Sequence, residues 1–222
     1  MSSLHSIPRF WNGPHHPIMS VKDHWNKAYA EKPTEGLSWY QPDPAKSLDL
    51  ITDCLDGPDP VIADIGGGAS LLVDHLLNRG FQNIMVLDIS DEAIRLAKLR
   101  LGSKSGMVQW HVGNVADFDP SRPIDLWHDR AVLHFLTDER DRAHYHSSLE
   151  NSLSERGRGV IATFAPDGPK RCSGLPVVRY GPDEMRAFLG SRFRLLDFVR
   201  ETHVTPRGVE QRFMFFRFER LN

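Results

Sequence analysis

The 222-residue sequence predicts an α/β domain built on a mostly parallel sheet. Short apolar runs alternate with helical patterns, as in a chain of strand and crossover-helix units. A glycine run, Gly66 to Gly68, follows the first apolar run directly, and Asp88 closes the second. Charged residues make up 25% and hydrophobic residues 40%, which excludes disordered and collagen-like classes.

The first half of the domain contains three predicted strands and two predicted helices. The first helix has a leucine face and stops at Gly80. The second opens at Asp91, with acids in its first turn and basic residues toward its end, the polarity that the helix dipole favours. In chain order the five elements are VIADI, SLLVDHLLNRG, IMVLDIS, DEAIRLAKLRL and MVQWHVGN.

The second half predicts four more strands and two more helices. IDLWHDRAVLHFL begins as the fourth strand, and the polar helical stretch after it extends to Arg156-Gly157. Asp183 is predicted to cap a short helix, and TPRG is a turn signal between the last two strands. The remaining elements are ERDRAHYHSSLENSL, GVIATFA, DEMRAFLG, FRLLDFVRETHV and EQRFMFFRFER.

The length suits one domain with a well-buried core. Residues 1–20 are rich in Pro, His and Ser without periodicity, so we expect a flexible arm there. The domain is expected over 21–222, with a helical N-terminal cover at 21–58. Met19 directly precedes the first helical pattern, and the sequence leaves open whether Met1 or Met19 is the natural start.

The charge and the cysteine content of the chain limit which partners and ligands are expected. The formal net charge is −2 and basic residues are spread along the chain, which disfavours a nucleic-acid substrate. We expect no membrane span and no signal core, and therefore a cytoplasmic protein. Cys54 and Cys172 give neither a disulfide framework nor a metal-type spacing, so no metal site is expected. A monomer and a homodimer both remain open.

The glycine run lies where the first strand meets its helix. Ligands bind beyond the carboxyl ends of parallel strands, where missing side chains let backbone N–H groups approach them. Gly66 and Gly68 match the first two glycines of the dinucleotide fingerprint, but the third glycine is missing. A GxG motif alone is a weak signal. Asp88, about twenty residues on, can accept two hydrogen bonds from a ribose diol. Together these features favour an adenosine-containing cofactor.

At these motifs the chain resembles the class I methyltransferases that use S-adenosylmethionine. VIADIGGGAS with Asp64 resembles their first motif, VLDIS with Asp88 their ribose-binding strand end, and HVGNVADFD their adenine-side motif. The resemblance covers the chain from about Asp23 onward. It implies a Rossmann-like seven-stranded sheet of order 3-2-1-4-5-7-6, with the last strand antiparallel and helices on both faces.

The resemblance also implies roles for individual residues. Asp64 would bind the cofactor's ammonium, the glycines would accommodate its methionine part, and Asp88 would hold its ribose. Ile89 would pack on the adenine, with Asn114 and Val115 at the adenine edge; Asn114 departs from the aspartate that many relatives carry. The implied cofactor-binding set is Trp39, Asp64, Gly66, Gly67, Gly68, Asp88, Ile89, Asn114, Val115 and Arg130.

The segment before the first strand, DHWNKAYAEKPTEGLSWYQPDPAKSLDLI, resembles the N-terminal cover of the thiopurine, halide and tellurite-resistance branches. Aromatic residues there close over the cofactor, and a sulfonium is attracted to an aromatic face. Trp39 and Tyr40, in a loop-like SWYQP context, are the predicted contacts, with Tyr40 toward the substrate. Trp25 fits this role and that of a core anchor equally well.

The end of the fourth strand offers two further candidates. Arg130 matches a carboxylate in forked geometry and would hold the methionine end of the cofactor, or it pairs with Asp129. His134 is a candidate base near the methyl donor. A lone histidine in an apolar run is more often a packed, hydrogen-bonded residue, and that interpretation is favoured.

The loop FAPDGPKRCSGLPVVRY follows the fifth strand and is constrained by prolines. Cys172 is a candidate contact for a soft thiol or chalcogen substrate, although a small residue at the rim is the favoured interpretation. Arg179 and Tyr180 would recognise an anionic substrate, or Arg179 is simply solvated.

The predicted function is methyl transfer from S-adenosylmethionine to a small-molecule nucleophile such as a thiol, a chalcogen or another soft acceptor. In-line displacement depends mainly on alignment, and a soft anion needs no strong base. A protein lysine methyltransferase and a non-catalytic cofactor-binding protein remain alternatives. A dehydrogenase is disfavoured because the third glycine is absent.

Overall fold

The structure, a computed structural model, describes residues 20–55 and 57–222. The arm predicted for 1–20 therefore lies outside the described residues except for Ser20. The Ser20 hydroxyl accepts a hydrogen bond from the Asp23 backbone N–H at 3.0 Å and caps the first helix.

The described part of the chain contains six α-helices and nine strands, connected by loops and short 3-10 helices. The helices are α1 Val21–Glu31, α2 Ala45–Cys54, α3 Leu72–Asn78, α4 Asp91–Leu101, α5 Glu139–Ser152 and α6 Pro182–Leu189. The strands are β1 Val61–Ile65, β2 Asn83–Asp88, β3 Val108–Val112, β4 Ile124–Arg130, β5 Leu153–Phe164, β6 Arg171–Cys172, β7 Leu175–Pro176, β8 Phe193–Val204 and β9 Glu210–Arg220.

Seven strands form one sheet in the order β3-β2-β1-β4-β5-β9-β8. β1 to β5 pair in parallel, and β9 runs antiparallel between β5 and β8. Counted along the main sheet this is 3-2-1-4-5-7-6, so the predicted Rossmann-like order is confirmed. β6 and β7 form a separate hairpin in the loop after β5.

Apolar side chains on both faces of the sheet form the core. Every residue of β1 is buried, because its two faces pack against different layers. Ala63 and Ile65 belong to the cluster with α5 and α6, and Ile62 to the cluster with α2 and α3. Burying one large apolar side chain contributes roughly 1.5–3 kcal/mol, so this sheet is a rigid support for the loops at its edge.

The boundary between α5 and β5 differs from the prediction. The helix ends at Ser152, and β5 begins at Leu153, which pairs with Ile124 of β4. Arg156 has φ +60°, so the backbone at the start of β5 is irregular. Buried and exposed residues do not alternate there as they do along a regular strand. The helix predicted to extend to Arg156-Gly157 is therefore shorter by a full turn.

The start of α6 also differs. Gly181 is the N-cap and Pro182 the first helical residue, so Asp183 lies inside the helix. The Glu184 carboxylate accepts a hydrogen bond from the Gly181 backbone N–H at 3.0 Å and takes the capping role predicted for Asp183. Among the helices described, none has the length and apolar character to cross a membrane.

Candidate active site

The glycine run turns the chain from β1 into α3 at the carboxyl edge of the sheet. The backbone N–H groups of Gly66 and Gly67 donate to the Leu87 carbonyl at 2.7 and 3.2 Å, which ties the turn to β2. Gly66 has φ +68°, and a Cβ there would lie 2.1 Å from Val132 Cγ2. A side chain at Gly66 is therefore excluded both by backbone conformation and by space.

Asp64 lies buried beneath this turn, at one end of a buried polar chain. Its Oδ1 is 2.8 Å from His128 Nδ1, and His128 Nε2 is 3.0 Å from the Ser47 hydroxyl. In a neutral imidazole, Nδ1–H donates to the carboxylate and Nε2 accepts from Ser47. A Cβ on Gly67 would lie 2.4 Å from Asp64 Oδ2, so the carboxylate rests directly against the turn.

Asp88 closes β2 on the other side of the turn. Its Oδ1 accepts a hydrogen bond from the Ser90 backbone N–H at 2.8 Å. Burial raises the pKa of the Asp88 carboxyl to about 7, although the Ser90 hydrogen bond opposes this shift. Its Oδ2 and the Tyr29 hydroxyl each lie 2.7 Å from the place that a Gly68 Cβ would occupy. A side chain at Gly68 is thus excluded by protein contacts alone.

Aromatic residues of the N-terminal segment cover the turn. The Tyr29 ring of α1 lies 5.8 Å from Trp39, and the Trp39 side chain and the Ala69 backbone are hydrogen-bonded to the Tyr29 hydroxyl. Trp25 packs edge-on between Trp39 at 5.5 Å and Phe135 at 5.0 Å. Trp25 therefore anchors the cover, whereas Trp39 borders the cleft.

The cleft enclosed by these elements has a cavity volume of about 50 Å³. Its polar walls are Asp64, His128, Arg130, Ser47 and Gln41, with Trp39, Tyr40, Tyr29 and the glycine turn around them. The structure thus brings Asp64, Gly66, Gly67, Trp39, Tyr40 and Arg130 to one cleft.

Arg130 ends β4 with its guanidinium largely buried. Nη1 donates to the Trp39 carbonyl at 3.2 Å, and the guanidinium carbon lies 4.6 Å from the Phe213 ring centroid. Nε and Nη2 are buried and have no hydrogen-bond partner among the described residues. Burial lowers the pKa of Arg130 to about 10. Unpartnered N–H groups in such a place suit an anionic ligand.

Asp129 does not pair with Arg130, so that alternative is wrong. The Asp129 carboxylate accepts from the Val132 and Leu133 backbone N–H groups at 2.7 and 3.0 Å, and from the Tyr145 hydroxyl at 2.6 Å. It thereby holds the turn after β4. Ala131 in this turn has φ +76°, a conformation rare for residues with a side chain.

The adenine-side candidates lie after β3. Asn114 Oδ1 accepts from the Ala116 backbone N–H at 3.0 Å and caps the short helix Val115–Asp117. This leaves the two N–H groups of its amide for a ligand. Val115 is buried and Ile89 is half-buried. The adenine contacts of Ile89, Asn114 and Val115 stay predictions.

His134, the candidate base, is completely buried. Its ring packs against Phe135 at 4.4 Å and Phe164 at 4.7 Å, and Nδ1 accepts weakly from the Phe164 backbone N–H at 3.4 Å. Burial, with the charge of Arg130, lowers the pKa of His134 to about 3. This is the geometry of the packed, hydrogen-bonded residue that the sequence favours.

The two candidates in the loop after β5 both contact other parts of the protein. Cys172 is 7% exposed and packs in the core, so its predicted place on the rim is wrong. Burial raises the pKa of its thiol to about 11. The Arg179 guanidinium donates to the Pro166 carbonyl at 2.5 Å and the Gly168 carbonyl at 3.4 Å, which fixes the loop.

Sequence reasoning missed several residues that build the site, among them Tyr29, His128 and Arg100. Arg100 of α4 donates to the Ala69 and Ser70 carbonyls, each at 2.7 Å, and pairs with Asp74 at 2.7 Å. It therefore clamps the end of the glycine turn. Only tertiary contacts show the roles of these residues.

The donor set fits S-adenosylmethionine. Two buried carboxylates flank a turn where side chains are excluded, and Arg130 has unpartnered N–H groups at the same cleft. Asp64 suits an ammonium, Asp88 a ribose diol and Arg130 a carboxylate. A sulfonium is also attracted to the face of a tryptophan such as Trp39.

The comparisons with known proteins agree with this fit. Residues 63–158 match a family model described as a methyltransferase domain. That range contains Asp64, the glycine turn, Asp88 and Arg130. No curated protein is significantly similar to the sequence.

Solved structures are similar over most of the chain. The N-methyltransferase NodS from Bradyrhizobium japonicum WM9, in complex with S-adenosylhomocysteine, is 15% identical, covers 90% of this chain and 100% of its own, and has a TM-score of 0.68. The 1,6-didemethyltoxoflavin-N1-methyltransferase of Burkholderia thailandensis, bound to its substrate and S-adenosylhomocysteine, is 18% identical, with 90% and 84% covered and a TM-score of 0.65.

A third structure, described as the conversion of a disulfide bond into a thioacetal group during echinomycin biosynthesis, is 15% identical, with 90% and 93% covered and a TM-score of 0.72. At these identities the likeness establishes the fold. With the family match, it supports an S-adenosylmethionine-dependent methyltransferase as the enzyme class and S-adenosylmethionine as the cofactor.

Proposed function

We propose that this protein transfers a methyl group from S-adenosylmethionine to a small-molecule nucleophile, with a thiol or another soft atom as the acceptor. One observation carries the proposal: two buried carboxylates, Asp64 and Asp88, flank a glycine turn at the carboxyl edge of the sheet, beneath Trp39. The two carboxylates suit the ammonium and the ribose of the cofactor, and the Trp39 ring suits its sulfonium.

Asp64 and Arg130, which line the cleft, and Asp88, Ile89, Asn114 and Val115, which do not line it, would each hold one part of the cofactor. Asp64, kept in place by His128, would accept from the ammonium, and Arg130 would bind the carboxylate. Asp88 would accept from the ribose diol, while Ile89, Asn114 and Val115 would enclose the adenine. When bound, the cofactor supplies an electrophilic methyl group on a sulfonium.

The chain's own contribution to rate is alignment and exclusion of water. The Trp39 carbonyl accepts a hydrogen bond from Arg130, and the Trp39 ring packs against Tyr29. Trp39 therefore forms a rigid wall of the cleft. Tyr40 lies beside it and would contact the acceptor. Holding the reactants in line can contribute roughly 7–11 kcal/mol to lowering a bimolecular barrier.

A soft acceptor agrees with the protonation states of the candidate catalytic groups. His134 is buried with a pKa lowered to about 3, and Cys172 is buried with a pKa raised to about 11. Neither suits proton removal or nucleophilic attack near neutral pH. An acceptor that ionises by itself, such as a thiol, requires neither group.

Two further lines support this acceptor class. The N-terminal cover resembles the thiopurine, halide and tellurite-resistance branches, whose acceptors are soft. One structural neighbour is described by a sulfur reaction, the conversion of a disulfide into a thioacetal, whereas two others are named as N-methyltransferases. Amine acceptors are therefore the alternative that the test must exclude.

The test is a methyl-transfer assay with methyl-labelled S-adenosylmethionine. The panel contains low-molecular-weight thiols, a selenol and iodide, then amines, and finally the proteins of a cell lysate. We expect label on a thiol or selenol, and loss of this transfer in Asp88→Ala but not in the matched surface variant Asp59→Ala. Label on amines only or in a protein band would overturn the soft-acceptor proposal, and cofactor binding without any transfer would indicate a binding protein.

A further inference from the structure

A second, larger cavity of about 440 Å³ lies beyond the cofactor cleft. It is enclosed by α1, by the segment 36–39, by Ser173 of the β6–β7 hairpin and by the turn between β8 and β9. Among the residues that line it are Lys27, Lys32, Leu37, Trp39, Arg207 and Val209. Its volume is that of a small-molecule site.

Trp39 belongs to the walls of both cavities. The segment that carries it is fixed at two points: the Trp39 carbonyl accepts from Arg130 at 3.2 Å, and the Ser38 carbonyl lies 2.8 Å from His203 Nε2. The segment is therefore a fixed partition. A molecule in the second cavity would lie directly against the wall that faces the cofactor cleft.

The charges around the second cavity are unbalanced. Lys27 lies 3.6 Å from Glu31 on the same helix, so these two charges compensate each other. Lys32 and Arg207 also line the cavity, and neither forms an ion pair with any residue that the structure describes. The cavity thus has an excess of two positive charges, which favours an anionic occupant.

The rest of the lining is mainly apolar. Ala28, Leu37, Trp39 and Val209 contribute apolar surface, and the Val209 side chain is 58% exposed. A pocket with apolar walls and a few charged groups selects ligands with an apolar body and a charged end. An inorganic anion alone would leave this apolar surface wet.

We propose that the second cavity is a binding site separate from the cofactor cleft, and that its ligand is a small molecule with an apolar body and an acidic group, held by Lys32 and Arg207. The acidic group is a carboxylate, sulfonate or phosphate, which these cations bind by the same chemistry. Trp39 then lies between this ligand and the cofactor cleft.

Two fluorescent probes with one skeleton test the site: 8-anilinonaphthalene-1-sulfonate and the uncharged N-phenyl-1-naphthylamine. We expect each to bind once per chain in the presence of saturating S-adenosylhomocysteine. Lys32→Gln combined with Arg207→Gln should weaken the sulfonate probe about tenfold or more, and the neutral probe less than about twofold. The control pair Lys170→Gln and Arg140→Gln, exposed cations outside both cavities, should change neither probe.

Calorimetric titration of S-adenosylhomocysteine into the same variants separates this inference from the proposed function. Unchanged affinity for S-adenosylhomocysteine with selective loss of the sulfonate probe supports the separate binding site for an acidic ligand. If S-adenosylhomocysteine displaces the sulfonate probe, or if the paired variant binds it as tightly as the parent, the inference is wrong whatever the cofactor result. Failure of S-adenosylhomocysteine to bind the parent protein contradicts the proposed function instead.

Discussion

The cofactor side and the second cavity of this molecule are built differently. On the cofactor side, Asp64, the glycine turn and Asp88 lie within one continuous stretch of strand, helix and strand. Around the second cavity, α1, the β6–β7 hairpin and the β8–β9 turn meet from distant parts of the chain. Local sequence therefore predicts the first side, whereas the second is visible only after folding.

The titratable candidates inside the cofactor motifs also differ from those outside them. The carboxylates of Asp64 and Asp88 face the glycine turn, while His134 and Cys172 point into the core. A polar residue type near the edge of a sheet is thus a weaker indicator of function than its place in a motif. The following variants test this difference, beginning with the largest expected effect.

Gly66→Ala should be the most damaging substitution. Its new Cβ would lie 2.1 Å from Val132 Cγ2 at φ +68°, so we expect a destabilisation of about 2–5 kcal/mol from strain and overpacking. We also expect affinity for S-adenosylhomocysteine to fall at least about 100-fold. The matched control is Gly80→Ala, at φ +90° with nothing within 4 Å. Equal losses in both variants, by thermal unfolding and calorimetry, would show that the contact is unimportant.

Asp88→Ala should have the next largest effect. Removing the carboxylate leaves the ribose hydroxyls without their acceptor, which costs about 1–3 kcal/mol, or roughly 5- to 150-fold in affinity. Calorimetry with S-adenosylhomocysteine measures this loss. Asp59→Ala, at an exposed position, should bind like the parent. Unchanged affinity in Asp88→Ala would remove Asp88 from the cofactor site.

Cofactor affinity should also depend on pH through Asp88. Because its pKa is about 7, the carboxylate that the ribose requires is partly protonated at neutral pH. We expect affinity to fall about tenfold from pH 8 to pH 6. Asp88→Asn should bind the cofactor more weakly at pH 8 and should remove the pH dependence. A cofactor affinity of the parent protein that does not change with pH would contradict the raised pKa of Asp88.

The same group should influence stability without ligand. A carboxyl whose folded-state pKa lies above the unfolded value of 3.8 binds its proton more tightly when folded, so the fold loses stability as pH rises from about 4 to 7. Asp88→Asn removes the buried charge. At pH 8 it should unfold at a higher temperature than the parent, with a smaller difference at pH 5.

Cys172→Ala should have the smallest effect on function. With a pKa of about 11, only about 0.1% of the thiol is ionised at pH 8, so methyl transfer should stay within about twofold of the parent. Cys54→Ala is the matched control, since Cys54 is also buried with a pKa raised to about 11. A tenfold loss of transfer confined to Cys172→Ala would return Cys172 to the active site.

The resemblance to the methyltransferase family predicted the sheet order. Local pattern predicted the start of α4 at Asp91 and the place of Asp64 near the end of β1. It missed the His128 contact with Asp64, because residues 64 positions apart become neighbours only through strand pairing. It misplaced the start of β5, because the irregular backbone at Arg156 interrupts the strand pattern.

The alternative interpretation, in which Arg130 pairs with Asp129, failed for a related reason. Successive residues of a strand point to opposite faces, so the side chains of sequence neighbours rarely meet. Asp129 turns toward Tyr145, while Arg130 lies against Trp39 and Phe213. The sequence shows that Asp129 and Arg130 point to opposite faces of the strand. It does not show that Tyr145 lies on one face and that Trp39 and Phe213 lie on the other.

The most direct test of the central claim is calorimetric titration with S-adenosylmethionine, S-adenosylhomocysteine and NADH. If the turn between Asp64 and Asp88 forms the cofactor site, the first two ligands bind once per chain with micromolar affinity and NADH does not bind. Saturable NADH binding without S-adenosylmethionine binding would contradict the account. Binding of none of the three would show that the glycine turn is only a strand-to-helix connection.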